Sequence, residues 1–477
     1  MQNSKAIDIL KCFSKKELKK FEDFVCSPYF NKNEDIKSLL IYIRQFAFQF
    51  TDQRLDKVLV YKHIYPNKEF DYKKMRYLVS NLSGLLESFI SISKLQSQPI
   101  LELYYILTTY SEWNLDKHFN YSLQHAEKIQ KKNPKRNTDY YYNQHLISKV
   151  ANIQFAKQKK HIYDHNIQKA VDELDLFYLS SKLHFSCEIL NRQKQIKSRY
   201  ELHFLDEILT YLKNGPYGQY PAVAIYNTII MTILESNNPE YFYMLKELLS
   251  KSTDFFTVEE LRDCYSYLQN YCARRINQGD NSYYKEVFEI YKFLLENEIL
   301  LIDNIITHGT YKNIVGVGLK LKEFDWVESF INKYKSNITN EFRETSFAFN
   351  LANLYYYQKE YSKALKCLSR VDFTDVIYSL DTKVMMLKIY YEQDESTSIL
   401  LLIDSFRKYI SRNKLIAENL CIAYKNFLNY ANKLSKLIKS DKEKLYELYE
   451  EIKEIQPIPE KQWLLEQLAL KLPNRSQ

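Results

Sequence analysis

Residues 351–368 read LANLYYYQKEYSKALKCL. Leu351, Ala352 and Tyr355 fall on one face of a helix, Ala364 and Leu368 on one face of the next, and Lys359-Glu360-Tyr361-Ser362 forms the corner between them. Alanine at 352 and 364 lets two helices approach closely, and Tyr355 fills the gap beside them. Similar corners are read at Lys322-Glu323-Phe324-Asp325 and Gln393-Asp394-Glu395-Ser396, giving spacings of 37 and 34 residues. A helical unit repeating at that interval cannot bury its apolar face alone, so neighbours must stack. The expectation is an all-α chain organised as an array of helix pairs.

The rest of the sequence agrees. The 477 residues include only seven glycines, too few for the hairpins, bulges and phosphate loops that need glycine. Gly215, Gly218, Gly279 and Gly309 fall at expected helix breaks, Gly84 within a helix, and Gly316 and Gly318 in the first helix of a degenerate repeat. No proline occurs between Pro239 and Pro457, a stretch that should be nearly continuous helix. Capping boxes are read at Ser14–Glu17, Thr257–Glu260 and Ser440–Glu443. Helices are expected over 15–26, 34–48, 55–65 and 72–93, with Met75, Leu78, Leu82, Leu85, Leu86 and Phe89 on the buried face of the last. Gln96-Ser97-Gln98-Pro99 reads as a linker. The expected organisation is an N-terminal helical domain over 1–96, a degenerate helix-pair array over 97–309, and repeats with capping helices over 310–477.

The chemistry-bearing patterns are sparse. Seven scattered cysteines without a CxxC point to small buried hydrophobes rather than zinc or disulfides. Phosphate-loop, nucleophile-elbow and His-Glu-x-x-His patterns do not occur. His161-Ile-Tyr-Asp-His165 is the nearest approach to a metal motif and reads better as a polar turn. No cofactor and no metal are expected. A net charge of +8 is mild for this length. Basic clusters at 15–20, 131–136, 157–160 and 192–199, with tyrosines nearby, read as solvated faces, and nucleic-acid contact is the competing use. No apolar run approaches a membrane span, and no secretory signal is evident, so a cytoplasmic protein without membrane contact is expected.

The middle copy, on Leu351, Ala352, Tyr355, Ala364 and Leu368, resembles the tetratricopeptide repeat (TPR). Its neighbours depart from that pattern, with Met386, Ser398 and Ile389 on one side and Val315, Val327 and Gly318 on the other, and Val376 stands where a closing proline belongs. The resemblance implies a TPR-like α-solenoid, a right-handed superhelix of antiparallel helix pairs with an inner face that binds a protein or peptide. On that implication Ser346, Phe349, Asn350, Asn353, Tyr356 and Tyr357 would line the concave surface, with Lys383 adding charge from the next repeat. Asn350 matches the asparagine that clamp-type repeats use for a terminal carboxylate, although further matching basic residues are missing. The whole chain is also similar to a group of bacterial helical-repeat proteins that share the Phe21, Phe24, Ser27–Asn31 segment and the Ile389–Glu392 segment, a likeness that implies no activity. The expected function is therefore a non-enzymatic scaffold or adaptor. The alternatives are a nucleic-acid-binding or transcription-regulatory protein using lysine-rich faces, and an enzyme with an unrecognised site.

Overall fold

The computed structural model describes the whole chain except residues 2, 48–49, 51–52, 158–162, 196–198, 372–375, 439–440 and 473–477. Among the described residues there are 23 α-helices and no strand, only an isolated bridge between Ile302 and Ile305. By compactness the chain forms two units, Met1–Ile230 with Asp254–Phe256, and Met231–Thr253 with Thr257–Gln477. The boundaries read at 96/97 and 309/310 do not coincide with this division.

The first unit begins with α1 (Lys5–Lys11), α2 (Lys15–Cys26), α3 (Glu34–Arg44), α4 (Lys57–Ile64) and α5 (Tyr72–Gln96). Helix α1 was not expected, and α3 stops short of the expected residue 48. The box at Ser14 forms: Ser14 Oγ accepts from the Glu17 amide at 3.2 Å, and Glu17 Oε2 accepts from the Ser14 amide at 2.8 Å. Leu18, Phe21 and Val25 of α2 enter one core with Met75, Leu78, Leu82 and Leu86 of α5. The segment from Phe21 to Asn31 has a structural role. Phe21 and Phe24 meet Phe89 at ring distances of 5.4 and 5.6 Å, Phe30 stacks on Phe24, and the Asn31 amide donates to the Val25 carbonyl at 3.0 Å. Only Ser97 and Gln98 separate α5 from α6 (Pro99–Glu112), so the expected linker is a tight turn. Helices α7 (Asp116–Lys132), α8 (Thr138–Lys157), α9 (His165–Gln195) and α10 (Leu205–Asn214) follow, and α11 (Pro221–Leu234) runs across the division.

The second unit contains α12 (Glu240–Lys251), α13 (Val258–Asn277), α14 (Tyr283–Glu296), α15 (His308–Lys320), α16 (Phe324–Lys333), α17 (Arg343–Tyr357), α18 (Tyr361–Leu368), α19 (Val376–Glu392), α20 (Ser396–Arg412), α21 (Glu418–Lys436), α22 (Lys442–Glu454) and α23 (Lys461–Lys471). From α12 to α21 consecutive helices pack on each other, as do α22 and α23, and alternate ones touch as well: α15 on α17, α17 on α19, α21 on α23. The box at Thr257–Glu260 forms. Ser440 lies outside the described residues, and Asp441 stands at the N-cap position of α22 without a side-chain capping bond.

One corner geometry recurs. Asn114, Gly279, Glu298, Lys322, Lys359 and Asp394 all have positive φ. At each, the residue's amide bonds to the carbonyl three back and the next amide to the carbonyl five back, as in Lys359 to Tyr356 (3.0 Å) and Glu360 to Tyr355 (2.8 Å). Those paired bonds satisfy carbonyls that a helix end leaves open. The position favours glycine, yet among the glycines only Gly279 has positive φ. Gly309 lies inside α15 rather than at a break. Lys, Glu, Asp and Asn therefore occupy the left-handed corners, at a cost of about 1 kcal/mol each that the paired bonds offset. Gly318 has a different purpose: a Cβ there would lie 2.5 Å from Val327 Cγ2, so its absence lets α15 approach α16.

A buried carboxylate ties the end of this unit together. The Glu392 side chain, 8% exposed, forms an ion pair with Lys359 Nζ at 2.7 Å. It also accepts from Tyr361 Oη at 2.6 Å, from Trp463 Nε1 at 2.9 Å and from Tyr356 Oη. Burial opposes its ionisation, but the four donors win and hold its carboxyl at about 2. Within the Ile389–Glu392 segment, Glu392 is thus a packing device.

Candidate functional site

Helices α13, α14, α15, α17, α19 and α21 of the second unit border an open cavity of about 440 Å³. Its walls follow the corners. Lys312, Gly316 and Lys320 of α15, then Phe349, Asn353 and Tyr357 of α17, then Val384 and Lys388 of α19 line it at intervals of four. That interval keeps side chains on one helix face. The left-handed corner residues Lys322, Lys359 and Asp394 are 37 and 35 residues apart. Those offsets carry Lys312 to Phe349 to Val384 and Gly316 to Asn353 to Lys388, so corresponding positions on α15, α17 and α19 meet at one site.

The site is aromatic and charged. Tyr284, Tyr291, Tyr357 and Tyr424 contribute rings with polar tips. Lys312 pairs with Asp381, whose other oxygen accepts from Tyr424 Oη at 3.0 Å. Lys388 pairs with Glu460 at 2.8 Å. Burial opposes the ionisation of Glu460, yet Lys388, with Lys320 and Lys312 beyond it, holds the carboxyl below its ordinary range. Lys320 is exposed and has no ion pair among the described residues; its ammonium lies 5.9 Å from the Tyr357 ring centre. Burial pushes the Tyr357 hydroxyl up to about 12, leaving it a neutral donor. The lining therefore carries the lysines at 312, 320 and 388 against the acids at 381 and 460, with the excess positive charge at Lys320.

Of the residues read from the sequence, Phe349, Asn353 and Tyr357 line this cavity. Ser346, Asn350 and Tyr356 do not; they are packed inside. Ser346 Oγ is 3.0 Å from Tyr378 Oη, Asn350 is fully buried and donates to the Ser346 carbonyl at 2.8 Å, and Tyr356 donates to Glu392. Burial leaves Asn350 no access to a carboxylate ligand. Lys383 is half-buried against the Tyr409 ring, 5.2 Å away, outside this cavity.

A one-residue slip accounts for Lys383. A spacing of 34 maps Phe349 onto Lys383, whereas the corner spacing of 35 maps it onto Val384 and Asn353 onto Lys388. The register comes from the structure: the left-handed φ falls on Asp394, not Gln393, and makes it the counterpart of Lys359. Asp381, Tyr424 and Glu460 had no sequence signal, since only tertiary packing brings them in.

The other candidates take different roles. Lys135 donates to the Phe256 carbonyl at 2.6 Å, Arg136 to those of Asn133 and Lys135, and Lys157 to that of Ser111, so these cations serve the main chain. Lys159, Lys160, His161 and Lys197 lie outside the described residues. Cys187, Cys264 and Cys272 are buried, whereas Cys12 and Cys26 are exposed, against expectation, because the helix ends they occupy face solvent. No helix among the described residues is long and apolar enough to cross a membrane. Comparison with protein-family models, curated proteins and solved structures finds no match to this chain.

Proposed function

We propose that the chain is a non-enzymatic adaptor whose second unit, a TPR-like stack of antiparallel helix pairs winding as a right-handed superhelix, holds an extended peptide segment of a protein partner. The observation that carries this reading is the recurrence of cavity-lining side chains at corresponding positions on α15, α17 and α19. A stripe of that kind can read a chain laid across it, and tyrosine offers large contact area at small rotamer cost. Lys320 is the charge free to meet an acidic group on the peptide, since Lys312 and Lys388 already have acidic partners. The test is a displayed peptide library selected on the full chain, with the selected peptides titrated against the intact protein and Lys320→Glu. Peptides that bind the intact chain and lose about tenfold or more with Lys320→Glu support the reading. Equal affinity for both proteins would sink it.

A further inference from the structure

The first unit contains a second cavity, of about 640 Å³, which the adaptor reading does not use. Tyr140 and Tyr141 of α8, Glu173 of α9, Tyr163, Tyr220 and Phe255 are among its walls. Two polar groups in it are unanswered. The Tyr141 side chain is 2% exposed and its hydroxyl has no hydrogen-bond partner among the described residues. The half-buried Glu173 carboxyl has no hydrogen bond or ion pair among the described residues. Burial pushes that carboxyl up to about 7, with Lys169 opposing and Asp172 adding to the rise. Two side-chain cations already line the cavity. Arg136 is committed: its guanidinium lies 4.3 Å from the Tyr140 ring centre and donates to two main-chain carbonyls. Lys169 is exposed and, among the described residues, forms no ion pair with Glu173.

Buried polar groups without partners are costly and uncommon, so a paired absence inside one cavity points to a missing donor. Aromatic faces around a carboxylate favour a cation, and a hydroxyl and a carboxylate together suit one with N–H donors. We propose that this cavity binds a primary alkylammonium group, with Glu173 as counter-ion, Tyr141 as hydrogen-bond partner and the tyrosine rings around the methylene chain. The group could belong to a free amine or to a lysine side chain, and two probes separate these sources.

Calorimetric titration of the full chain with cadaverine and with Nα-acetyl-lysinamide, and with 1-pentanol as the uncharged control, tests the proposal. Binding of either amine in preference to pentanol, weakened about tenfold by Glu173→Gln and less by Tyr141→Phe, is the expected result. The better-bound probe names the source. Glu173→Gln removes a half-buried acid and keeps its shape, and helical circular dichroism checks both variants for folding. Binding unchanged in Glu173→Gln, pentanol binding as well as the amines, or no binding of either amine overturns the proposal.

Discussion

Trp463 Nε1 donates to Glu392 Oε1 at 2.9 Å, a contact between residues 71 apart in sequence that fastens α23 to the end of α19. The same carboxylate accepts from Tyr356 and Tyr361 and pairs with Lys359. Chain segments flanking one corner and a helix much later in the sequence thus share one buried charge.

Glu392→Gln should destabilise the second unit by about 2–4 kcal/mol, because the remaining donors, Lys359 above all, lose their anion. The pH dependence follows from the carboxyl being held at about 2, below its ordinary 4.5. A depressed acid contributes fully above its unfolded value and loses that contribution as pH falls through the folded one. The stability gap between wild type and Glu392→Gln should therefore shrink between pH 4.5 and 2. Urea unfolding across that range measures it; a gap that stays constant would refute the account.

Adjacent tyrosines should separate stability from binding. Tyr356→Phe removes a buried bond to a carboxylate and should cost about 1.5–3 kcal/mol. Tyr357→Phe, on the cavity wall, should leave stability within about 0.5 kcal/mol of wild type. Thermal unfolding of the two variants side by side decides, and equal losses would contradict the assignment.

The left-handed corners predict a gain. Lys322→Gly should stabilise by about 0.5–1 kcal/mol, since glycine adopts positive φ without the Cβ clash but starts from a more flexible unfolded chain. Lys359→Gly should show no such gain, because it also removes the ion pair to Glu392. Chemical denaturation of both would reveal a common sign if the ion pair were idle.

Helical glycines should diverge. Gly84 is exposed, and a Cβ added there would meet nothing within 4 Å, so Gly84→Ala should gain about 0.5–1 kcal/mol. Gly318→Ala should lose about 1–3 kcal/mol, because the new methyl meets Val327 Cγ2 at 2.5 Å and α15 must move off α16. Melting curves of the two single variants, moving in opposite directions, are the expected outcome.

Much of the helical layout was legible from local signals. The boxes at Ser14 and Thr257 and the stop before Pro28 depend on residues within a turn of each other, and all are present. The corners around Lys322 and Lys359 were legible too. Helix α1, the register of the third corner and the burial of Asn350 and Tyr356 were not. A helix face can be assigned from sequence, but whether its polar members face a cavity or a neighbouring helix depends on the crossing of two elements.

The sequence by itself determined an all-helical chain and the corners around Lys322 and Lys359, because periodicity and capping act over a few residues. Tertiary structure alone decided that Glu392 gathers Lys359, Tyr356, Tyr361 and Trp463. It alone placed Asp381 and Glu460 beside the cavity lysines. Those contacts join residues far apart in the chain, where no local rule links one side chain to the other.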